Sequence, residues 1–330
     1  MSRIAVLGAG AWGTALTISL ARRGGHELVL WSHSPALAEI LTETGRNATY
    51  LPNATVPAGV LVTADLPGAI FEADIILCVT PSQHLRGVVG HIAPLLTRNQ
   101  ILLTASKGLE DGSLLRMSQV IASVTNNPVG VLSGPSFAQE VAIGNPTAIV
   151  AAASDPVLAQ EIQREFTSPS LRVYTNDDVP GVELGGALKN VIALASGVVC
   201  GLDLGNNSAA ALITRGIAEI TRLAVACGGR RQTLAGLSGV GDLVLTCTGA
   251  LSRNRAVGIE LGKGRQLPDI LAGLNGKVAE GIRSTTGALG LAARYGVEMP
   301  ITEQMNAVLH HGKSPQDAIR ELMTRPGRDE

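Results

Sequence analysis

Aromatic side chains are scarce in this chain: two Trp, three Tyr and three Phe make up 2% of its 330 residues. The 45% hydrophobic share is carried largely by Ala, Val, Leu and Ile. Net charge is also lacking, since 26 Lys and Arg against 27 Asp and Glu leave −1. A near-neutral chain has no electrostatic footprint for nucleic acid or an anionic membrane as its main partner. The four cysteines, Cys78, Cys200, Cys227 and Cys247, show no C-x-x-C spacing. That argues against a zinc or disulfide framework, and no metal is expected. All four lie in apolar runs and read as buried thiols in a reducing compartment. Mean hydropathy is +0.27, yet the nearly apolar stretch Val191–Leu202 is about a dozen residues long, short of the ~20 that span a bilayer. The N-terminal MSRIAVLGAGAWGTALTISLARR imitates a signal peptide superficially. Gly8, Gly10 and Gly13 interrupt it, and the strand-like Glu27–Trp31 follows at strand–helix–strand spacing. The chain therefore reads as cytoplasmic, without stable membrane insertion.

Glycine is what the chain has in excess, 39 residues, against a usual share of about 7%. With so much Ala, Val, Leu and Ile, this composition excludes a disordered chain. It suggests tight strand-to-helix turns and parallel strands buried on both faces. The length predicts about two domains. Strands are expected at Ile4–Leu7, Leu28–Trp31, Val60–Thr63, Asp74–Val79, Ile101–Ala105, Val129–Leu132, Thr147–Ala152 and Leu171–Tyr174, with helical stretches between most of them. That alternation predicts a parallel, doubly wound Rossmann-type α/β domain over 1–180. After the polar turn Thr175–Pro180 only helical patterns follow, so 181–330 is expected to be an all-helical, substrate-binding and catalytic domain.

Gly8-Ala9-Gly10-Ala11-Trp12-Gly13 fits G-x-G-x-x-G and stands between a strand and a helix. Gly8 permits the sharp turn, Gly10 lets a pyrophosphate approach the backbone, and Gly13 lets helix and strand pack; the helix N-terminus offers N–H groups to the phosphates. At the end of the second strand, where NAD-binding chains carry an acidic residue, this one has Ser32 and His33. No carboxylate repels a 2′-phosphate there and both side chains are donors, which favours NADPH or tolerance of both cofactors. His33 as an ordinary surface residue is the competing reading.

Lys189 is the one charge between Glu183 and Asp203. It suits proton transfer if it is buried, and is ordinary if it snorkels to the surface. Asp242 is likewise alone among apolar and small residues, and is either the counter-charge of Lys189 or a helix cap. Ser252-Arg253-Asn254-Arg255 packs donors for a phosphate or carboxylate, or starts a solvated helix. Ser106-Lys107-Gly108 and Gly134-Pro135-Ser136 follow strands, where doubly wound sheets bind ligands. Gly134–Ala138 also approximates the G-x-S-x-G turn of serine hydrolases, though its last glycine is alanine and Ser136-x-x-Gln139 equally reads as a helix cap.

Taken in series, GAGAWGTALT from Gly8, NATYLP (47–52), SKG (106–108), SGPSFAQE (133–140), LGGALKNVIA (184–193), GVGDLVLTC (239–247), SRNR (252–255), VAEG (278–281) and GVEMPIT (296–302) resemble the bacterial-type NAD(P)-dependent glycerol-3-phosphate dehydrogenase family over nearly the whole chain. The resemblance implies reversible reduction of dihydroxyacetone phosphate to sn-glycerol 3-phosphate for glycerophospholipid synthesis, with NADP or NAD as cofactor and a homodimer allowed. It implies Lys189 as proton acceptor, and Lys107, Gly134, Ser136, Asp242, Ser252, Arg253 and Asn254 as substrate contacts. The cofactor positions it implies are Ala11, Trp12, His33, Tyr50, Lys107, Ala138, Arg253, Val278 and Glu280, beside Gly8, Gly10 and Gly13. Ala11 departs from the serine usual there, so a backbone N–H must serve; Ser136 stands where Thr also occurs. A related two-domain reductase acting on a hydroxy acid or ketopantoate-like substrate is the alternative, and the Ser252–Asn254 cluster separates the two.

Overall fold

The computed structural model describes residues 1–273 and 279–327. Two compact units divide the chain, Met1–Glu183 and Leu184–Glu330. The first is built on an eight-stranded sheet: β1 (Ser2–Leu7), β2 (His26–Trp31), β3 (Leu61–Thr63), β4 (Ile75–Cys78), β5 (Ile101–Thr104), β6 (Val129–Ser133), β7 (Thr147–Ala152) and β8 (Leu171–Asn176). Its helices are α1 (Ala11–Arg23), α2 (Pro35–Thr44), α3 (Leu66–Ile70), α4 (Leu85–Ile92), α5 (Met117–Ala122), α6 (Ala138–Ile143) and α7 (Pro156–Phe166). All the expected strands are present.

The central strands form because their sequences are unbroken apolar runs, as suits strands covered on both faces. IAVL of β1, IILC of β4 and ILL of β5 are 6% exposed or less. Alternation along each strand feeds two cores. Ile4, Val6, Leu28, Leu30, Ile75 and Leu77 meet α1 and α7 on one side. Ala5, Leu7, Val29, Ile76 and Cys78 meet α3, α4 and α5 on the other. Spatial order is β3-β2-β1-β4-β5-β6-β7-β8. Winding thus reverses between β1 and β4, the switch point where such sheets bind ligands.

The sheet is not parallel throughout, as the strand–helix alternation suggests. β6 and β7 pair antiparallel, with Val131 opposite Ala152. The chain enters β7 at the end where β6 stops, after the six-residue α6. Helix length alone does not set this direction, because α5 is equally short and lies in the parallel crossover from β5 to β6.

Among its described residues the second unit is helical. Its elements are α8 (Val179–Gly201), which runs unbroken through the division, α9 (Gly205–Ala226), α10 (Arg231–Leu234), α11 (Asp242–Thr248), α12 (Arg253–Gly262), α13 (Leu267–Ala272), α14 (Glu280–Tyr295), α15 (Pro300–His310) and α16 (Pro315–Met323). α8 is long and apolar enough to cross a membrane, more so than the dozen-residue run suggests, but 89% of that window is buried inside the molecule. It is a core helix. Its Gly197 and Gly201 face Gly258 and Gly262 of α12 at backbone contact. A Cβ on Gly197 would lie 2.1 Å from the Arg255 carbonyl oxygen, and one on Gly258 2.0 Å from that of Leu194. Cys78 and Cys247 are buried as expected, but Cys200, at the end of α8, is exposed and Cys227 half-buried. An apolar run does not guarantee burial at a helix terminus.

Candidate active site

The glycine turn follows β1 at the switch point. Gly8 has φ +127°, and a Cβ there would lie 2.7 Å from the Val79 carbonyl oxygen. A Cβ on Gly13 would lie 1.9 Å from the Gly8 carbonyl oxygen, whereas one on Gly10 would meet nothing within 4 Å. Crowding therefore demands glycine at 8 and 13, and room for a ligand lies at 10. Gly10 is the N-cap of α1, has no side chain to satisfy the first N–H groups, and no acidic residue occupies the first turn. That end of the helix suits a diphosphate. Trp12 and Ala138, from the starts of α1 and α6, are half-buried and pack against the same core; Ala11 is half-buried too. Tyr50 is 43% exposed, and its N–H donates to Asn47 Oδ1.

The end of β2 differs from its sequence reading. Ser32 is buried; its hydroxyl donates to the Ser34 carbonyl at 3.0 Å and accepts the Ser34 N–H at 3.2 Å. This local turn occupies the hydroxyl expected to meet a 2′-phosphate. His33 is exposed, its ring edge-on to Trp31 at 6.0 Å.

Three strand ends are tied together nearby. Ser106 Oγ donates to the Thr80 carbonyl at 2.5 Å. Lys107 Nζ and Ser136 Oγ both donate to the Gly134 carbonyl, at 3.1 and 3.0 Å. Gly134 has φ +127°, and a Cβ there would lie 3.1 Å from Ile149 Cα. Ser136 does not cap α6, whose N-cap is Phe137. Its hydroxyl faces a main-chain carbonyl rather than a base, contrary to a nucleophilic serine.

In the second unit, Lys189 of α8 pairs with Asp242, the first residue of α11, and their side chains are 10% and 0% exposed. The snorkelling and capping alternatives give way to a buried ion pair. α8 can approach Asp242 because the preceding π-helical turn, Leu237–Gly241, packs on Gly185, where a Cβ would lie 2.3 Å from the Ser238 carbonyl oxygen. Such turns often mark functional sites. Thr246 Oγ1 donates to the Asp242 carbonyl at 2.6 Å. Next to Lys189, Asn190 Oδ1 accepts from Asn254 Nδ2 at 3.0 Å, and Asn254 Oδ1 accepts the Gly281 N–H at 3.0 Å. Asn190 escaped the sequence reading, although it adjoins the lone lysine. Burial pushes the Cys247 thiol up to about 12 despite the Lys189 charge nearby, and Cys78 likewise to about 12. Neither is a thiolate nucleophile.

The Ser252–Arg255 group divides in two. Ser252 is buried and caps α12 by accepting the Arg255 N–H at 3.2 Å; Asn254 is buried. Arg253 is exposed at the start of α12 and makes no ion pair among the described residues. Arg255 is half-buried, with Nη2 3.4 Å from Cys200 Sγ. Glu280 opens α14. Val278 lies outside the described residues.

Open space over Gly10 at a helix N-terminus, and a lysine held inside a helical unit by a carboxylate, meet the needs of a two-domain dinucleotide-dependent oxidoreductase. Residues 3–159 match the model of the NAD-dependent glycerol-3-phosphate dehydrogenase N-terminus and 178–320 that of its C-terminus. The chain belongs to this family. Similar proteins named glycerol-3-phosphate dehydrogenase [NAD(P)+] occur in Acidobacterium capsulatum, 61% identical over 100% of both chains, and Koribacter versatilis, 57% identical over 100% of this chain and 99% of the other. The crystal structure of glycerol-3-phosphate dehydrogenase from Coxiella burnetii superposes with a TM-score of 0.94 at 40% identity, covering 98% of this chain and 99% of that one.

Proposed function

We propose that this chain catalyses the reversible, NAD(P)-dependent reduction of dihydroxyacetone phosphate to sn-glycerol 3-phosphate, as a cytoplasmic enzyme supplying glycerophospholipid synthesis. The observation that carries the reading is the buried Lys189–Asp242 pair in a chain whose two halves both match the family. The dinucleotide, when bound, supplies the hydride for the C2 carbonyl carbon. The Lys189 ammonium donates its proton to the C2 oxygen as charge develops there, and the amine takes it back in oxidation. Asp242 holds Lys189 in place and supplies the counter-charge that a buried ammonium needs. Arg253, exposed at the head of α12, holds the substrate phosphate; buried Ser252 shapes that helix start, and Asn254 keeps one amide hydrogen beyond its bond to Asn190. In the first unit the Gly8–Gly13 turn, Ala11 and Trp12 hold the diphosphate. Tyr50, His33, Ala138, Glu280 and Val278 serve the rest of the dinucleotide. Lys107, with Gly134 and Ser136, adds a cation at the strand ends.

The deciding experiment is oxidation of NADPH and NADH by the purified chain, with and without dihydroxyacetone phosphate. Oxidation that depends on this substrate is expected. Dependence on ketopantoate instead would move the assignment to the alternative reductase, and dependence on neither would end it. NADPH should serve at least as well as NADH, because no carboxylate lies at the end of β2 and His33 faces outward. A strong NADH preference in kcat/KM would refute that. A homodimer is part of the proposal; light scattering after size exclusion checks it.

A further inference from the structure

Asn47 follows α2 and is fully buried. A buried primary amide has two donor hydrogens and an acceptor oxygen to satisfy. One hydrogen goes to the Ala9 carbonyl at 2.8 Å and the other to Thr14 Oγ1 at 2.8 Å. Oδ1 accepts the Tyr50 N–H at 3.2 Å, and the Asn47 carbonyl accepts the Leu51 N–H at 2.8 Å. The side chain thus grips the glycine turn on both sides of Gly10. Thr14 is already joined to that glycine, its N–H donating to the Gly10 carbonyl at 3.0 Å.

What the grip does follows from peptide geometry. The Ala9–Gly10 bond is trans, so its C=O and N–H point in opposite directions in one plane. Holding the Ala9 carbonyl toward Asn47 turns the Gly10 N–H away from it. Gly10 is also the residue whose Cβ direction meets nothing within 4 Å. A free peptide would have to be ordered when an anion binds, and one already held does not carry that cost. We propose that Asn47 is a positioning residue for the dinucleotide: it fixes the peptide plane whose Gly10 N–H receives the diphosphate, and the same amide sets the turn that presents Tyr50. The proposal rests on the reading of the glycine turn as the diphosphate site. It makes dinucleotide affinity depend on Asn47 while leaving the Lys189 chemistry untouched.

Asn47→Ala removes both grips. Titration calorimetry with NADPH and with ADP-ribose, which keeps the diphosphate, should show Kd rising about tenfold for both. At saturating dinucleotide, kcat and the KM for dihydroxyacetone phosphate should stay within about twofold of the unaltered chain. A purely structural role would lower the melting temperature without this split. A folded Asn47→Ala chain with unaltered affinity for both ligands would overturn the proposal, as would equal losses in kcat and both KM values. If Asn47→Ala does not fold, Thr14→Val decides: it removes one grip and should weaken both ligands about two- to threefold, and unchanged affinity would overturn the proposal. Failure of the unaltered chain to bind any dinucleotide would instead refute the glycine-turn reading beneath it, which keeps the two failures apart.

Discussion

At the scale of single residues, a lone charge in an apolar helix is a strong constraint because burying it is expensive without a partner. Lys189 has Asp242, and the pair is shut away from water. Lys189→Ala should lower kcat by ~10²–10⁴, the usual worth of a positioned acid–base group, and leave dinucleotide affinity nearly unchanged. Stability should fall too, since a fully buried carboxylate loses this cation, so kcat must be measured well below the variant's melting temperature. Retention of half the original kcat would remove Lys189 from the chemistry. Arg253→Ala should act differently. Arg253 is exposed, so its removal strands no buried group, and the expected loss is the roughly 1.5–3 kcal/mol of charge-assisted bonds to phosphate, read as a higher KM for dihydroxyacetone phosphate. Unchanged KM values would return Arg253 to the solvated surface. Lys189, Asp242 and the glycine turn were legible in the sequence because their surroundings in the chain are also their surroundings in space. Ser32 was not, because only the path of the chain after β2 bends its hydroxyl onto Ser34. Asn47 was not, because it stands in a polar stretch after α2, where nothing in the neighbouring sequence marks it as buried against Ala9 and Thr14.

At the scale of elements, the eight strands were readable from apolar runs, and the long helices from the absence of β patterns after Pro180. The direction of β7 was not, since the short α6 before antiparallel β7 and the equally short α5 before parallel β6 give the same strand–helix–strand pattern in the sequence. Nor was the π-helical turn before Asp242, which packs closely on Gly185 of α8 through the Ser238 carbonyl. The contact of α8 with α12 turns on the same kind of crowding. Gly197→Ala would set a methyl 2.7 Å from Gly258 Cα as well as against the Arg255 carbonyl, so α12, and Arg253 and Asn254 with it, must move off α8. Overpacking of this kind costs about 1–3 kcal/mol. Melting temperature and kcat/KM should fall together. Gly90→Ala is the control: it lies inside α4, is exposed, and a Cβ there meets nothing within 4 Å. It should stabilise by about 0.5–1 kcal/mol with activity unchanged. If both substitutions behave alike, the backbone contact between α8 and α12 is not what holds the second unit's site together.

At the scale of the whole molecule, stability depends on pH through carboxylates that pull in opposite directions. Arg86 holds the Glu110 carboxyl below its usual range, lysine and arginine partners at the surface do the same for Glu260 and Glu321, and the Ser314 hydroxyl, with Arg320 nearby, does so for Asp317. Whatever these groups contribute is lost as pH falls through their folded-state values. Glu219 runs the other way. It is 1% exposed on α9 and accepts the Ile301 N–H, the Thr302 N–H and the Thr302 hydroxyl at 2.9, 2.9 and 2.7 Å, so it anchors the start of α15. Burial nevertheless outweighs these bonds and raises its pKa. A carboxyl whose folded value lies above its unfolded one binds protons more tightly when folded. Its contribution is fully present below the unfolded value and is lost as pH rises through the folded one. Glu219→Gln removes the titration, and at neutral pH it also turns an amide donor toward two N–H groups and a hydroxyl, so the variant should be less stable there. The informative quantity is the difference in unfolding free energy, unaltered chain minus Glu219→Gln, from urea melts taken from neutral pH down to about pH 5. The carboxylates near Arg86 and on the surface are common to both chains and cancel in that difference. It should widen as pH falls, even while both chains lose stability in absolute terms. A difference that stays flat, or narrows toward acid, would mean that the bonds to Ile301 and Thr302 outweigh the burial of Glu219.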